Sequence, residues 1–330
     1  VWDPLNFSTT FDATPLVLHA QLTQNGGDTS TSRIRDVSTS SFEVQVEEEQ
    51  SQDSEVGHTT EEIGYIAAEE GLILDDSNNP IGQTGRITTN QADRSTWHSV
   101  SFGRVYANPV VVARLQTRND ADPAHIRIRN VSGGGFQFQI EEWDYQDGTH
   151  GTEDVAYLVV ERGTHTLSDG SQIEAGTRSA ANDDWERVNF NHSYGSEPTV
   201  ISSTQTINDN TPVAPRQQNL TTGHIDISMK EEEALDDNRV SETIGYVVML
   251  QTDNNRPSLD PIADTIVEID DSTTVTVTAT DADGDSLTYN ASGPGALNLG
   301  VSGNTITIAP ASAMTPGDYT VFVTVDDGNG

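Results

Sequence analysis

The sequence predicts an all-β protein: three tandem antiparallel β-sandwich repeats followed by a fourth, smaller β-sandwich. Three observations predict it. Long helical periodicity is absent, and short runs of alternating apolar and polar residues lie between clusters of Gly, Asn, Asp and Ser. One such pattern, clearest over residues 97–161, occurs three times in variant form. The hydrophobic content of 33% and mean hydropathy of −0.50 suit sandwiches in which one face of each strand is apolar. The same composition is that of a disordered chain, but the period-two alternation recurs in every segment and argues for folded strands.

Three anchors define the repeats. The first is Trp-x-x-apolar-x-Phe followed by Pro: Trp2, Leu5, Phe7 and Pro15; Trp97, Val100, Phe102 and Pro109; Trp185, Val188, Phe190 and Pro198. Each Pro leads an apolar strand, LVLHAQL, VVVARLQ or TVISSTQ. The second is an Arg at constant distance before the next strand: Arg33 to Phe42, Arg127 to Phe136, Arg216 to Ile225. The third is Glu-x-x-x-Tyr, as Glu61 and Tyr65, Glu153 and Tyr157, Glu242 and Tyr246. The boundaries that follow are 1–71, 72–163 and 164–253.

Within the second copy, strands are expected near 97–103, 109–117, 125–131, 135–142 and 154–161. Phe136, Phe138 and Ile140 alternate with Gln137, Gln139 and Glu141, the mark of a half-buried antiparallel strand. Gly133, Gly134 and Gly135 supply the turn before it. Segments 72–96 and 164–184 read as a hairpin or lead-in strand for the copy that follows, and the first copy has none. From Asn254 the pattern changes. Residues 257–330 carry short, regularly spaced strands and read as a compact sandwich behind an Asn/Pro linker.

Charge narrows the function classes. Sixteen Lys and Arg stand against 52 Asp and Glu, a net charge of −36. Nucleic acid and anionic membrane surfaces require clustered cations and are excluded as partners. Salt, divalent cations and neutral ligands remain. Lys230 is the only lysine, and the acid-rich, lysine-poor balance points to a saline setting. Cysteine is absent, which removes disulfide and thiolate chemistry. No apolar run approaches a membrane span, so membrane insertion is not expected. An extracellular or cell-surface location follows. Val1 and the ending VDDGNG read as the limits of a piece of something longer.

The Trp-x-x-apolar-x-Phe anchor, the Pro109-led strand, the Arg127 segment, the Gly135–Phe136 turn, Trp143 and the Tyr-bearing last strand together resemble the H-type lectin domain. The resemblance covers most of each repeat. It implies a six-stranded antiparallel sandwich that assembles as a trimer and takes a sugar, typically N-acetylgalactosamine, between neighbouring subunits. It implies sugar contacts from Arg127 (and its counterparts Arg33 and Arg216), from Trp143, and from an acidic lead-in residue for which Asp93 is nearest. Asp144 replaces the family's His, and Glu49 and Glu232 stand where Trp143 does. Residues 257–330, with Pro257, the Asp281–Tyr289 run and Gly317 to Tyr319, resemble the cadherin-like or immunoglobulin-like modules of large bacterial surface proteins. That likeness implies a spacer with calcium at its edges.

Read from the residues themselves, the candidate sites keep two meanings each. Trp143 and Tyr145 flank an Asp- and Gly-rich loop, where an aromatic face stacks on a sugar or else fills a core or interface. Arg127 binds sugar hydroxyls or bridges carboxylates between repeats; its recurrence favours the bridge, whereas Trp143, Asp144 and Tyr145 do not recur and are the better ligand candidates. His58 and His150 precede Glu61 and Glu153 by three residues, in a side-chain hydrogen bond or a ligand contact. The Glu47–Glu49, Glu141–Glu142 and Glu231–Glu233 clusters need Arg partners or a cation. Asp281, Asp283 and Asp285, with Asp326 and Asp327, are placed to converge on calcium or form a solvated turn. No nucleophile elbow, phosphate loop or metalloprotease motif is present, and no enzyme activity is expected.

Two functions follow. The first is a non-catalytic, carbohydrate-binding fragment, binding a glycan or polysaccharide through Asp93, Arg127, Trp143, Asp144, Tyr145 and His150, with calcium-assisted adhesion. The alternative is a structural segment of an adhesin, filament or matrix protein, in which repeats pack on one another or self-associate. Three copies in one chain also predict an intrachain pseudo-trimer.

Overall fold

A computed structural model describes residues 2–52, 54, 56–235, 240–250, 257–281 and 286–326. The fold is β throughout, with every strand ladder antiparallel. The chain separates into two compact units, Val1–Leu167 with Ser171–Gln251, and Ser168–Gly170 with Thr252–Gly330.

The first unit holds three two-sheet sandwiches. The first comprises β1 (Asp3–Asn6), β2 (Leu16–Gln21), β3 (Ser30–Arg35), β4 (Ser41–Glu48) and β5 (Ile63–Ala68), in sheets β1-β4-β3 and β2-β5. The second comprises β6 (Gly71–Leu74), β7 (Pro80–Gln91), β8 (His98–Ser101), β9 (Pro109–Leu115), β10 (Ala124–Ser132), β11 (Gly135–Glu142) and β12 (His150–Glu161). Its sheets run β10-β11-β8 and β6-β7-β12-β9. The third comprises β13 (Gly163–Thr166), β14 (Gln172–Ala180), β15 (Glu186–Asn189), β16 (Thr199–Thr204), β17 (Ala214–Gln218), β18 (His224–Lys230) and β19 (Glu242–Leu250), in sheets β15-β18-β17 and β13-β14-β19-β16.

The lead-in segments are hairpins that widen one sheet of their sandwich from two strands to four. In the second copy β7 inserts against β12 and pairs Gly85 with Tyr157; in the third, β14 pairs Gly176 with Tyr246. Each Gly lies under the tyrosine ring. A Cβ at Gly85 would sit 2.3 Å from the Tyr157 hydroxyl, and one at Gly176 would sit 2.3 Å from that of Tyr246.

The Pro-led strands β2, β9 and β16 carry apolar residues on consecutive positions because they are covered on both faces. Successive side chains point to opposite faces. Val17 packs with Ile34, Phe42 and Val44 inside its own sandwich, while Leu16 and Leu18 turn outward. They enter a cluster with Val110 and Val112 of β9, Ile201 of β16 and Val247 of β19. Val111 and Val200, between those outward residues, face the second and third sandwich cores. Three strands, one from each copy, thus bury a common apolar centre.

Alternation also places the arginines of β3 and β10. Ile34 and Ile128 take the core face, so both arginines of each strand share the opposite face: Arg33 and Arg127 are buried against the neighbouring copy, whereas Arg35 and Arg129, two residues on, lie over the rings of Trp2 and Trp97 at 4.3 and 3.8 Å. The opening Trp of these copies is therefore a platform for an arginine of its own sandwich.

The second unit contains β20 (Ser258–Leu259), β21 (Thr273–Thr276), β22 (Ala279–Thr280), β23 (Thr288–Ser292), β24 (Gly300–Ser302), β25 (Thr305–Ile308) and β26 (Phe322–Asp326). Its sheets are β20-β22, β21-β25-β24 and β23-β26. Its core is small, formed by Val277, Leu297, Ile306 and Ile308 with Tyr289 and Val323 against them.

Candidate functional site at the junctions between repeats

Each recurring Arg reaches out of its own sandwich to the recurring Glu of the next. Arg33 Nη2 lies 3.4 Å from Glu153, Arg127 Nη2 lies 2.8 Å from Glu242, and Arg216 Nη2 lies 3.3 Å from Glu61. First to second, second to third and third to first, the pairs close a ring. All six side chains are buried, so each charge depends on its partner.

The carboxylates are further satisfied by a motif that had no place among the anchors, Thr-x-Asn. Thr23, Thr117 and Thr206 donate their hydroxyls to Glu61, Glu153 and Glu242. The backbone N–H groups of Asn25, Asn119 and Asn208 donate to the same carboxylates. The side chains of these asparagines donate to the carbonyl of the residue before each Glu. The motif was visible in sequence as LTQN, QTRN and QTIN, immediately after each Pro-led strand. Burial pushes the Glu153 carboxyl up, but His150, Thr117 and the Asp120 and Asn119 N–H groups outweigh it and bring it down to about 2. Glu61 is lowered in the same way by Thr23 and the Gly26 and Asn25 amides, against burial.

The second arm of the Arg stays within its own sandwich in the first two copies. Arg33 and Arg127 pair with Glu47 and Glu141 at 3.3 and 3.4 Å. In the third copy Lys230 stands in that place and turns to Asp183; Arg216 donates instead to Gln21 Oε1 at 3.0 Å and to Ser30. In the first two copies the next Glu of the acidic run holds the His. His58 lies 3.0 Å from both Glu48 and Glu61, and His150 lies 2.9 Å from Glu142 and 3.4 Å from Glu153. Burial alone would lower the His150 imidazole; its hydrogen bonds to Glu142 and Glu153 raise it to about 9.

The residues proposed from sequence as a ligand site divide between interior and surface. Arg127 is fully buried in the ring and presents nothing to solvent. Trp143 is 1% exposed, with its ring 4.8 Å from that of His125. Of the two readings of Trp143, this burial fits the core or interface aromatic, because the indole offers no open face on which a ligand could stack. His150 is buried between its two glutamates. Asp93, Asp144 and Tyr145 are at the surface. Asp93 accepts from Ser95 N at 2.8 Å, a local turn bond. Asp144 pairs with Arg94 at 2.8 Å, and Arg94 also donates to the Trp143 and Gln146 carbonyls, tying down the loop. Tyr145 is 42% exposed and meets both other copies: its N–H donates to Glu232 and its hydroxyl accepts from Gln50 N at 3.2 Å.

In the second unit Asp281 follows β22 and Asp326 ends β26. Asp283, Asp285 and Asp327 lie outside the described residues. Among the described residues no three His, Asp or Glu side chains are grouped to hold a metal ion, and no helix is long and apolar enough to cross a membrane.

Residues 254–330 match the family model of the bacterial Ig domain. The chain is also 33% identical over 180 residues to halomucin of Haloquadratum walsbyi (strain DSM 16790 / HBSQ001), a match covering 51% of this chain and 2% of that protein. The chain thus spans a small fraction of the relative it matches. No solved structure matches it.

Proposed function

We propose that this chain is a structural segment of an extracellular or cell-surface protein, in which the three repeats form one rigid block and the Ig-type module serves as a spacer. The observation that carries this reading is the ring of buried ion pairs. The charged residues that recur in all three copies, Arg33, Arg127 and Arg216 with Glu61, Glu153 and Glu242, are consumed in joining the copies. They are not offered to a ligand. The matches to the bacterial Ig domain and to halomucin support a surface protein, and the acid-rich surface suits a saline exterior. No catalytic role belongs to this reading.

A second reading keeps a glycan at the Asp144–Tyr145 surface. Its support is Tyr145, an exposed aromatic at a junction of all three copies, where the likeness to H-type lectins implies a sugar. A glycan array that includes neutral and anionic marine polysaccharides separates the two. The structural reading expects no binding above background. Binding that Tyr145→Ala abolishes while the fold is kept would replace it with the second. Calcium at the Asp281–Asp285 segment belongs to the spacer in either reading.

A further inference from the structure

The three Pro-led strands bring Ala20, Arg114 and Ser203 to equivalent positions around the common centre. Two are small, and the third is an arginine that occupies the space they leave. Arg114 Nε donates to His19 O at 2.6 Å, Nη1 to Ala113 O at 2.8 Å and Ser203 Oγ at 2.9 Å, and Nη2 to Ser202 O at 2.6 Å. Every one of these acceptors is neutral. Among the described residues no carboxylate pairs with Arg114. Burial lowers its guanidinium to about 10, still charged at any physiological pH. A buried charge without a counter-charge is strongly destabilising, and in a chain of net charge −36 the absence of an acidic partner here requires a physical reason.

A cavity of about 40 Å3 adjoins it, lined by Arg114, Arg33, Thr31 and His125 among others. Three of these lining residues carry buried polar atoms that lack a hydrogen-bond partner: Thr31 Oγ1, Arg33 Nε and His125 Nδ1. His125 Nε2 faces the Glu141 carboxylate at 2.9 Å, so that nitrogen carries a proton. The field here is positive: burial, and then Arg114 and Arg33, push the nearby His19 imidazole down to about 3.

We propose that this cavity binds one small monovalent anion of halide size, held by Arg33 Nε and Thr31 Oγ1 beside the Arg114 guanidinium. A water-sized occupant needs roughly 10–15 Å3 by this measure, so the cavity has room for a halide. Water would meet the hydrogen bonds but leave the Arg114 charge uncompensated. The anion thereby makes closure of the three copies dependent on halide, apart from the general screening that salt provides to an acidic surface.

Crystals of the full chain soaked in sodium bromide, with anomalous data collected at the bromine edge, test the site directly. The expected result is one strong peak in the cavity between Arg33 and Arg114. A cavity without anomalous signal overturns the proposal. In solution, thermal melts at constant ionic strength compare sodium bromide with sodium gluconate, whose anion cannot enter. The native chain is expected to melt about 3 °C or more higher in bromide, the shift produced by a ten- to hundredfold excess of ligand over Kd in a domain of this size. Arg114→Leu is expected to abolish the difference. Equal native melting points in the two salts, or a difference that persists in a folded Arg114→Leu chain, overturn the assignment. If that variant does not fold, the anomalous map of the native chain decides alone.

Discussion

At the residue scale the ring arginines and the two inner histidines dominate. Arg127 touches Glu141 and Glu242, both buried. Arg127→Leu leaves two carboxylates without their cation and is expected to cost about 3–5 kcal/mol, read as a lowered urea midpoint. Arg127→Leu with Glu242→Leu should cost less than the sum of the two single changes, because the stranded charge leaves with its partner. Acidity acts on the histidines with opposite signs. His150 has its folded value raised to about 9 by Glu142 and Glu153 working against burial. Its contribution is complete below the unfolded value near 6.5 and is lost as pH rises through about 9. His19 is lowered to about 3 by burial and then by Arg114. The folded state holds it neutral, so its contribution is complete above about 6.5 and declines as pH falls toward 3. Stability is therefore expected to peak near pH 6.5 and to fall on both sides in melts across pH 3–10. His19→Gln should make the acid limb shallower, leaving the part that the lowered Glu153 and Glu61 carboxyls contribute, and His150→Gln should flatten the alkaline one. A profile that falls only toward acid contradicts the His150 assignment, and one that falls only toward alkali contradicts that of His19.

At the element scale the lead-in hairpins are the part that distinguishes the later copies from the first. They depend on Gly85 and Gly176 beneath Tyr157 and Tyr246. The Tyr157 ring also packs 5.5 Å from Phe136, so it cannot yield freely to a new methyl group. Gly85→Ala is expected to destabilise by about 1–3 kcal/mol through overpacking, seen as a lower denaturant midpoint with unchanged m-value. The hairpins were legible as strands, but their effect was not, since insertion beside β12 and β19 is a pairing between distant segments. The loop after β11 has a similar history. Trp143, Asp144 and Tyr145 are adjacent in sequence, yet Trp143 goes inward against His125 while Asp144 and Tyr145 remain outside. Neighbouring residue types alone do not say which way each one turns.

For the molecule as a whole, the shared apolar centre sets the unit of folding. Leu16, Leu18, Val110, Val112, Ile201 and Val247 belong to three different sandwiches and one cluster. The second repeat expressed alone, residues 72–163, exposes its share of that face. It is expected to self-associate or aggregate, which sedimentation velocity would reveal; a stable monomer would show that the centre is not needed. The second unit has its own core and tests the calcium proposal: EDTA should lower the melting transition of this unit alone if calcium is bound by the Asp281–Asp285 segment.

Period-two alternation, Gly- and Asn-rich turns and the thrice-recurring Trp, Arg, Glu and Tyr anchors suffice, from sequence alone, for an all-β fold and for the recognition of three related copies. They suffice because strand pattern and turn chemistry are local properties. The destination of Arg127 was another matter. Its recurrence marked it as scaffold rather than ligand contact, but that it leaves its own sandwich for Glu242 depends on which copy lies beside which. The burial of Trp143 and the lone Arg114 among Ala20 and Ser203 likewise exist only once three separate strands meet. Tertiary structure decided them because burial and charge pairing are set by neighbours in space, and the chain brings those neighbours from as far as β2 to β19.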